Sequence, residues 1–316
     1  MQSNIVADTG KKMKTGGRRI ALALAFLAGT LIWSRPASAQ QYEIHLTSDD
    51  HVGDRYRLIA SARHAEQLTT YVNSAPVKNR TDEFATELIS SVTVLETTGD
   101  QIATKLALVI EKCIITRGGE RRPLIDAGRI VIATREGYGA DFKMDDVPVD
   151  PTTKKALSMS VNFDVAGISD DDVFGTREKK GVGDSWDINA APVVKSLGEA
   201  LKLSTGTGNV KGATTLEGVV KTGEEERLIV SAWLSIDSFS VPLPDGFKIE
   251  EGQVKGSFFG KFPVNAVRQD FEKSGKLAAW FIAVGPPDPK FQGLTIQGLM
   301  EQDINVRIEP QPKKND

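Results

Sequence analysis

Long stretches of this chain alternate apolar and polar residues with a period of two, and few folds are compatible with that period. Residues two apart share a face of a strand, so each run buries one side and wets the other, as strands of an antiparallel sheet do. The runs are Tyr56 to Leu68, Phe84 to Leu95, Ile102 to Ile115, Arg129 to Thr134, Tyr138 to Met144, Val210 to Lys221, Arg227 to Val241, Lys248 to Phe262, Val264 to Gln269, Lys276 to Val284 and Leu294 to Ile308. Several exceed the usual strand of about five or six residues. Such lengths predict a curved sheet rather than a compact sandwich. Gly252, Gly256 and Gly260 share one parity of their run. Glycines so placed let a strand bend or bulge, and they equally suit hairpin turns. Turn residues punctuate the pattern at Thr98-Gly99-Asp100, Arg117-Gly118-Gly119-Glu120, Thr222-Gly223-Glu224, Pro244-Asp245-Gly246 and Ser274-Gly275.

Two helices are expected to interrupt the strands. Asn189 is placed to cap a helix from Ala190 to Leu203, with Val193, Val194, Leu197, Ala200 and Leu201 on one apolar face. Asp150-Pro151 is a cap followed by a first-turn proline and predicts a short helix from Pro151 to about Asn162. Leu157, Met159, Val161, Phe163 and Val165 alternate like a strand across the same segment. The expected class is α+β, mostly long antiparallel strands in a curved sheet with two short packed helices. The expected organisation is a leader over residues 1–39, a β-rich half over 40–149, a helix-containing connection over 150–204 and an antiparallel half over 205–316.

The leader carries Lys11, Lys12, Lys14, Arg18 and Arg19, then an apolar run from Ile20 to Trp33, then Ala37-Ser38-Ala39. That order is the pattern of a cleaved secretory signal peptide, and the apolar run is shorter than the roughly 20 residues that span a bilayer. Export to the periplasm or medium is expected, with Gln40 as the new N-terminus and no membrane span after cleavage. Removing residues 1–39 takes away six Lys/Arg and one Asp, so the net charge moves from −3 to about −8. An acidic chain repels phosphate backbones, which argues against nucleic-acid binding. Cys113 is the only cysteine, so stability must come from packing rather than from an internal disulfide. Its setting in Ile110-Glu111-Lys112-Cys113-Ile114-Ile115 predicts a buried, inert thiol.

Val52-Gly53-Asp54-Arg55-Tyr56 and Val182-Gly183-Asp184-Ser185-Trp186 share one pattern 130 residues apart. The echo suggests two related halves, each entered through a Gly-Asp turn and pinned by an aromatic ring. The leader, the Val182 to Trp186 segment ahead of a helix near Ala190 and the long glycine-punctuated strands together resemble exported bacterial proteins of unassigned function. The architecture this implies is similar to the periplasmic lipoprotein-carrier fold, in which a curved antiparallel sheet wraps helices around an apolar cavity. The likeness covers most of residues 42–309 as architecture. The chain exceeds the size of a simple carrier domain, and no binding residue carries over.

Catalytic and metal signatures are sparse. No Gly-x-Ser-x-Gly, phosphate-loop or His-Glu-x-x-His pattern occurs, so no enzyme is expected and no cofactor is called for. His45, Asp49, Asp50 and His51 match no ligand spacing, and His64 lies on a strand pointing elsewhere. Asp170-Asp171-Asp172 and the group Asp141, Asp145, Asp146 and Asp150 lack the pattern of a calcium loop and read as solvated charge. Two segments are apolar on both parities: residues 277–284 and, more weakly, 228–241. Such strands are covered on both sides or line a cavity. Trp233, Phe239, Trp280 and Ile282 are therefore the expected cavity lining. The leading expectation is a non-catalytic exported binding protein holding a lipid or other apolar ligand; the alternative is an envelope scaffold that recruits a protein partner at its sheet edges.

Overall fold

The computed structural model describes residues 40–99, 101–137, 139–161, 163, 168–223, 225–265, 270–286 and 293–311. The signal-peptide reading, the cleavage site and most of the expected strand Val264 to Gln269 lie outside these residues. The strands are β1 (Gln41–Ile44), β2 (Arg55–Val72), β3 (Ala75–Thr97), β4 (Ala103–Arg117), β5 (Glu120–Ile125), β6 (Ile130–Glu136), β7 (Gly139–Met144), β8 (Val147–Pro148), β9 (Thr176–Gly181), β10 (Ser185–Asp187), β11 (Val210–Thr222), β12 (Glu225–Ile236), β13 (Lys248–Pro263), β14 (Phe271–Val284) and β15 (Leu294–Pro310). The helices are α1 (Pro151–Ser160), α2 (Asp170–Phe174) and α3 (Ala190–Leu201).

Thirteen strands form one antiparallel sheet in the order β10-β11-β12-β13-β14-β15-β2-β3-β4-β6-β7-β8, with β5 also paired to β4. β1 and β9 form a separate two-stranded sheet. The expected α+β class is corrected to all-β, because the helices span 10, 5 and 12 residues and only decorate a single large sheet. The two expected halves share that sheet: β15 pairs with β2 along its whole length, from Leu294 opposite Val72 to Pro310 opposite Tyr56.

The period-two pattern sorts the side chains onto two faces. On the inner face Leu58, Ala60, Leu88, Val92, Leu108, Phe142 and Val131 close over Leu157 of α1, nearly all without solvent exposure. In the other part of the sheet Tyr42, Ile44 and Leu46, on β1 and just after it, cover Leu216, Leu228, Val230 and Phe262. Val193 of α3 joins Ile188, Leu203, Ile236 and Val254. Each such aliphatic side chain contributes about 1.5–3 kcal/mol by leaving water. Phe174, Phe258, Phe262 and Phe271 stack in series, with ring centroids 4.9, 6.0 and 6.0 Å apart. Offset stacking of this kind adds to the area term.

Asp150 caps α1 as the sequence predicts, accepting from the amides of Thr152 and Thr153 at 2.9 and 3.1 Å. The helix ends at Ser160, where the chain turns extended at Val161. Asn189 precedes α3 without a side-chain capping bond. The reading of Asp170-Asp171-Asp172 as solvated loop charge is corrected, because each carboxylate has a structural task. Asp172 closes a capping box with Ser169. Asp170 pairs with Lys273 of β14 at 2.7 Å. Asp171 accepts from the amides of Leu46 and Thr47 at 2.7 and 3.2 Å and from the Thr47 hydroxyl at 2.5 Å, clipping the segment after β1 to α2. Loop charge and helix-start charge look alike in sequence; the partner more than a hundred residues away separates them.

The two Val-Gly-Asp segments are built alike. Gly53 and Gly183 have φ of 90° and 91°, a region in which glycine alone is unstrained. The Gly53 amide donates to the Val94 carbonyl at 2.9 Å and the Val94 amide to the Asp54 carbonyl at 3.0 Å; Gly183 and Asp184 make the same two bonds with Leu216 at 2.8 and 3.0 Å. The Asp54 carboxylate accepts from the His51 amide at 2.8 Å, and that of Asp184 from the Gly181 amide at 2.7 Å. Tyr56 then pairs with Val92, and Trp186 with Thr214, in equivalent register. Tyr56 is buried, whereas Trp186 is half-buried and donates its indole N–H to the Phe174 carbonyl at 2.8 Å.

The glycines of β13 sit inside a continuous strand and mark no turn. A Cβ on Gly256 would lie 2.9 Å from Leu234, and one on Gly252 would lie 3.0 Å from the ring of Phe239. Gly260 and Gly298 lie in the same way beneath the rings of Phe262 and Phe281. Large side chains therefore fold down over the glycines of the inner face, a known device for stabilising glycine in sheets.

Candidate binding face

The inner face leaves little room. Its best-enclosed pocket, about 130 Å³, is lined by Thr47, Ser48, Asp50, Tyr56, Phe271 and Lys273 among others. Asp50 accepts from the Ala103 amide at 3.0 Å, and burial pushes its carboxyl above the usual carboxylate range. Burial likewise raises the Tyr56 phenol. Cys113 is buried, and desolvation lifts its thiol to about 11. Among the described residues no group of three or more His, Cys, Asp or Glu is placed to hold a metal ion. His45 lies 3.7 Å from Glu43, and His51 lies 3.4 Å from Asp54. His64 packs on Phe84 with burial lowering its pKa.

The outer face of β12–β15 is bare. Trp233, Phe259, Trp280 and Leu299 project from it, 53%, 40%, 41% and 45% exposed, which is unusual for side chains of that size. A groove of about 590 Å³ crosses the four strands between Trp233 and Ser235 on β12, Lys255 and Ser257 on β13, Lys276 and Ala278 on β14, and Glu301 and Asp303 on β15. Register makes this a grid. Trp233, Ser257, Lys276 and Asp303 stand in one row, and Ser235, Lys255, Ala278 and Glu301 in the next. Trp233 lines the groove on β12, and Lys255, Lys276, Glu301 and Asp303 supply charge on the other three strands. A second outer hollow, about 330 Å³, lies against Phe259, Ile59, Ile89 and Arg307.

Of the four residues expected to line one cavity, Trp233 lines the groove. Trp280 and Ile282 share its face further along β14, with Trp280 opposite Leu299. Phe239 lies apart, packed with the α3 cluster against Gly252 on the inner face. Sequence reasoning missed Phe259 and Leu299 because neither sits in a segment apolar on both parities. Strand register across β12–β15, which a single sequence does not display, brings them together.

No family model and no curated protein matches this chain. Among solved structures, the outer membrane protein OprG from Pseudomonas aeruginosa aligns over 83% of this chain and 99% of its own, at 6% identity and a TM-score of 0.18. An outer membrane channel from Pseudomonas putida F1 aligns over 84% and 99%, at 8% identity and a TM-score of 0.18. At such scores neither fold nor function passes to this chain. No helix among the described residues is long and apolar enough to cross a membrane.

Proposed function

We propose that this chain is an exported, non-catalytic binding module that engages its partner through the outer face of β12–β15. The observation that carries the reading is the contrast between the two faces. The inner face is packed by α1, α3 and the β1 segment, leaving a polar pocket of about 130 Å³ and a hollow of about 210 Å³ between Phe84, Ile115 and the start of α1, whereas sites for lipid-sized ligands run to roughly 300–1,000 Å³. The outer face carries exposed tryptophan and phenylalanine, residue types enriched where partners dock, with leucine beside them around an open groove.

A photo-crosslinking side chain placed at Trp233 or Leu299 in the native envelope tests this. Crosslinks to protein from these positions, and none from exposed Lys143 on β7 toward the other end of the same sheet, are the expected result. Crosslinks only to lipid would turn the outer groove into a lipid site. Silence at both positions would refute the outer-face reading.

A further inference from the structure

We infer that the partner of the β12–β15 outer face is a second copy of this chain, related by a two-fold axis that runs along β14. The inference rests on the outer-face reading and adds the identity of the occupant. Its basis is a charge pattern that complements itself. Lys255, Ala278 and Glu301 stand directly opposite one another on β13, β14 and β15. Lys276 already has Asp303 at 4.0 Å within its own chain. Among the described residues no ion pair takes up Lys255 or Glu301, and both are exposed, although the Glu301 charge acts on Arg63 of β2. A cation and an anion without a close partner thus stand in a single row, one strand to either side of Ala278.

A two-fold axis through β14 exchanges β13 and β15. It lays Lys255 of one copy over Glu301 of the other, twice, as an isologous contact requires. Two of the residues on the axis fit that arrangement, Ala278 and Trp280, while Lys276 meets its own symmetry mate with the Asp303 carboxylate of each copy beside it. Ala278 is small and exposed, so the two sheets can approach to about 10 Å, a gap that a lysine and a glutamate reaching from opposite sides can bridge. Trp280, next but one along the strand on the same face, meets its own symmetry mate. Leu299 falls over Gln253, since both register with Trp280. Trp233 falls over Arg63, because both belong to the row of Lys276 and Asp303.

Strands about 4.8 Å apart and a rise of about 3.4 Å per residue give the patch from β12 to β2 roughly 500 Å² per copy. A total near 1,000 Å² lies at the low end of specific interfaces, so the dimer should be weak and concentration-dependent.

Sedimentation velocity on the purified chain, at rising concentration and at low and high salt, reads the association directly. The expected result is a monomer–dimer equilibrium that salt weakens. Lys255→Glu and Glu301→Lys should each raise the dimer dissociation constant roughly tenfold or more, through like-charge contacts. The double swap Lys255→Glu with Glu301→Lys should restore it to near the wild-type value. Both sites are exposed, and an unchanged urea midpoint confirms that each variant is folded. A wild type that stays monomeric into the millimolar range overturns the inference while leaving outer-face crosslinks to another protein intact. A dimer indifferent to either single swap, or one not restored by the double swap, also overturns it.

Discussion

Alanine at Gly53 and at Gly183 should cost the same, and for the same reason. Both residues hold φ near +90°, where a Cβ strains the backbone. No heavy atom lies within 4 Å of a Cβ built at either position, so no collision adds to that strain. The expected loss is therefore the backbone penalty alone, about 1–2 kcal/mol at each site. The turns share no hydrogen-bond partner, one closing on Val94 and the other on Leu216, so the double variant should lose the sum. Urea unfolding followed by tryptophan fluorescence and far-ultraviolet circular dichroism gives the three values, provided the two probes coincide. Companion variants Asp54→Ala and Asp184→Ala each remove a carboxylate that caps one amide, at His51 and Gly181, and should cost about 1 kcal/mol each. The equivalence of the turns is refuted if one glycine variant is neutral while the other loses several kcal/mol.

Other outcomes follow from single contacts. Asp171→Ala strips the acceptor from two amides and a hydroxyl around Leu46, which is 1% exposed. It should cost about 2–4 kcal/mol and speed hydrogen exchange at Leu46 and Thr47; native-like protection of both amides would contradict the clip. Cys113 should react with a thiol reagent only on unfolding, since desolvation holds its thiol near 11, and rapid labelling of the folded chain would show it is accessible. The hydrogen bond from Lys155, with the charges of Lys155 and Arg117, holds the Asp82 carboxyl below its usual range. Its stabilisation is complete above the unfolded carboxylate pKa near 4 and is lost as pH falls through the lower folded value, so Asp82→Asn should flatten the acid limb of the stability curve. An unchanged acid limb would remove Asp82 from the account.

Most of the sheet is legible in the sequence because one mechanism both writes the pattern and builds the strand. The runs Tyr56 to Leu68 and Leu294 to Ile308 reappear as β2, which starts at Arg55 and runs on to Val72, and β15, which runs on to Pro310. β3 likewise begins with residues 75–81, where every side chain is exposed and the ladder with β2 holds the strand. Periodicity has nothing to say about such residues. It also missed β9, whose Thr176 to Gly181 is almost entirely polar and exists by pairing with β1. The Gly-Asp turns were visible because their chemistry is local, whereas the work of Asp171 was not, since its partners lie 124 and 125 residues away. The outer groove falls between these cases. Trp233 and Trp280 stand out in the sequence, but the rows that join them to Lys255, Glu301 and Leu299 depend on the register of four strands.

That register also decides what the outer face can touch. Rows of cross-strand ion pairs cover much of it, among them Arg63 with Glu83 at 2.7 Å, Lys112 with Glu87 at 2.5 Å, Arg57 with Glu111 at 2.8 Å and Lys261 with Glu272 at 3.1 Å. A strand that faces lipid instead presents an apolar band about 25 Å tall, and a lysine or arginine at its middle costs about 2–4 kcal/mol. The charged side chains here stand at mid-strand on β2, β3, β4 and β13, where such a band would have to run. Pairing within the sheet offsets part of that penalty but leaves no continuous apolar belt. Among the described residues the ends of the sheet at β10 and β8 are not paired with each other. Large apolar side chains stand among these charges, Trp233, Phe259, Trp280 and Leu299 on β12–β15 and Val109 and Ile130 on β4 and β6; under the proposed function the first group is the part that a partner covers.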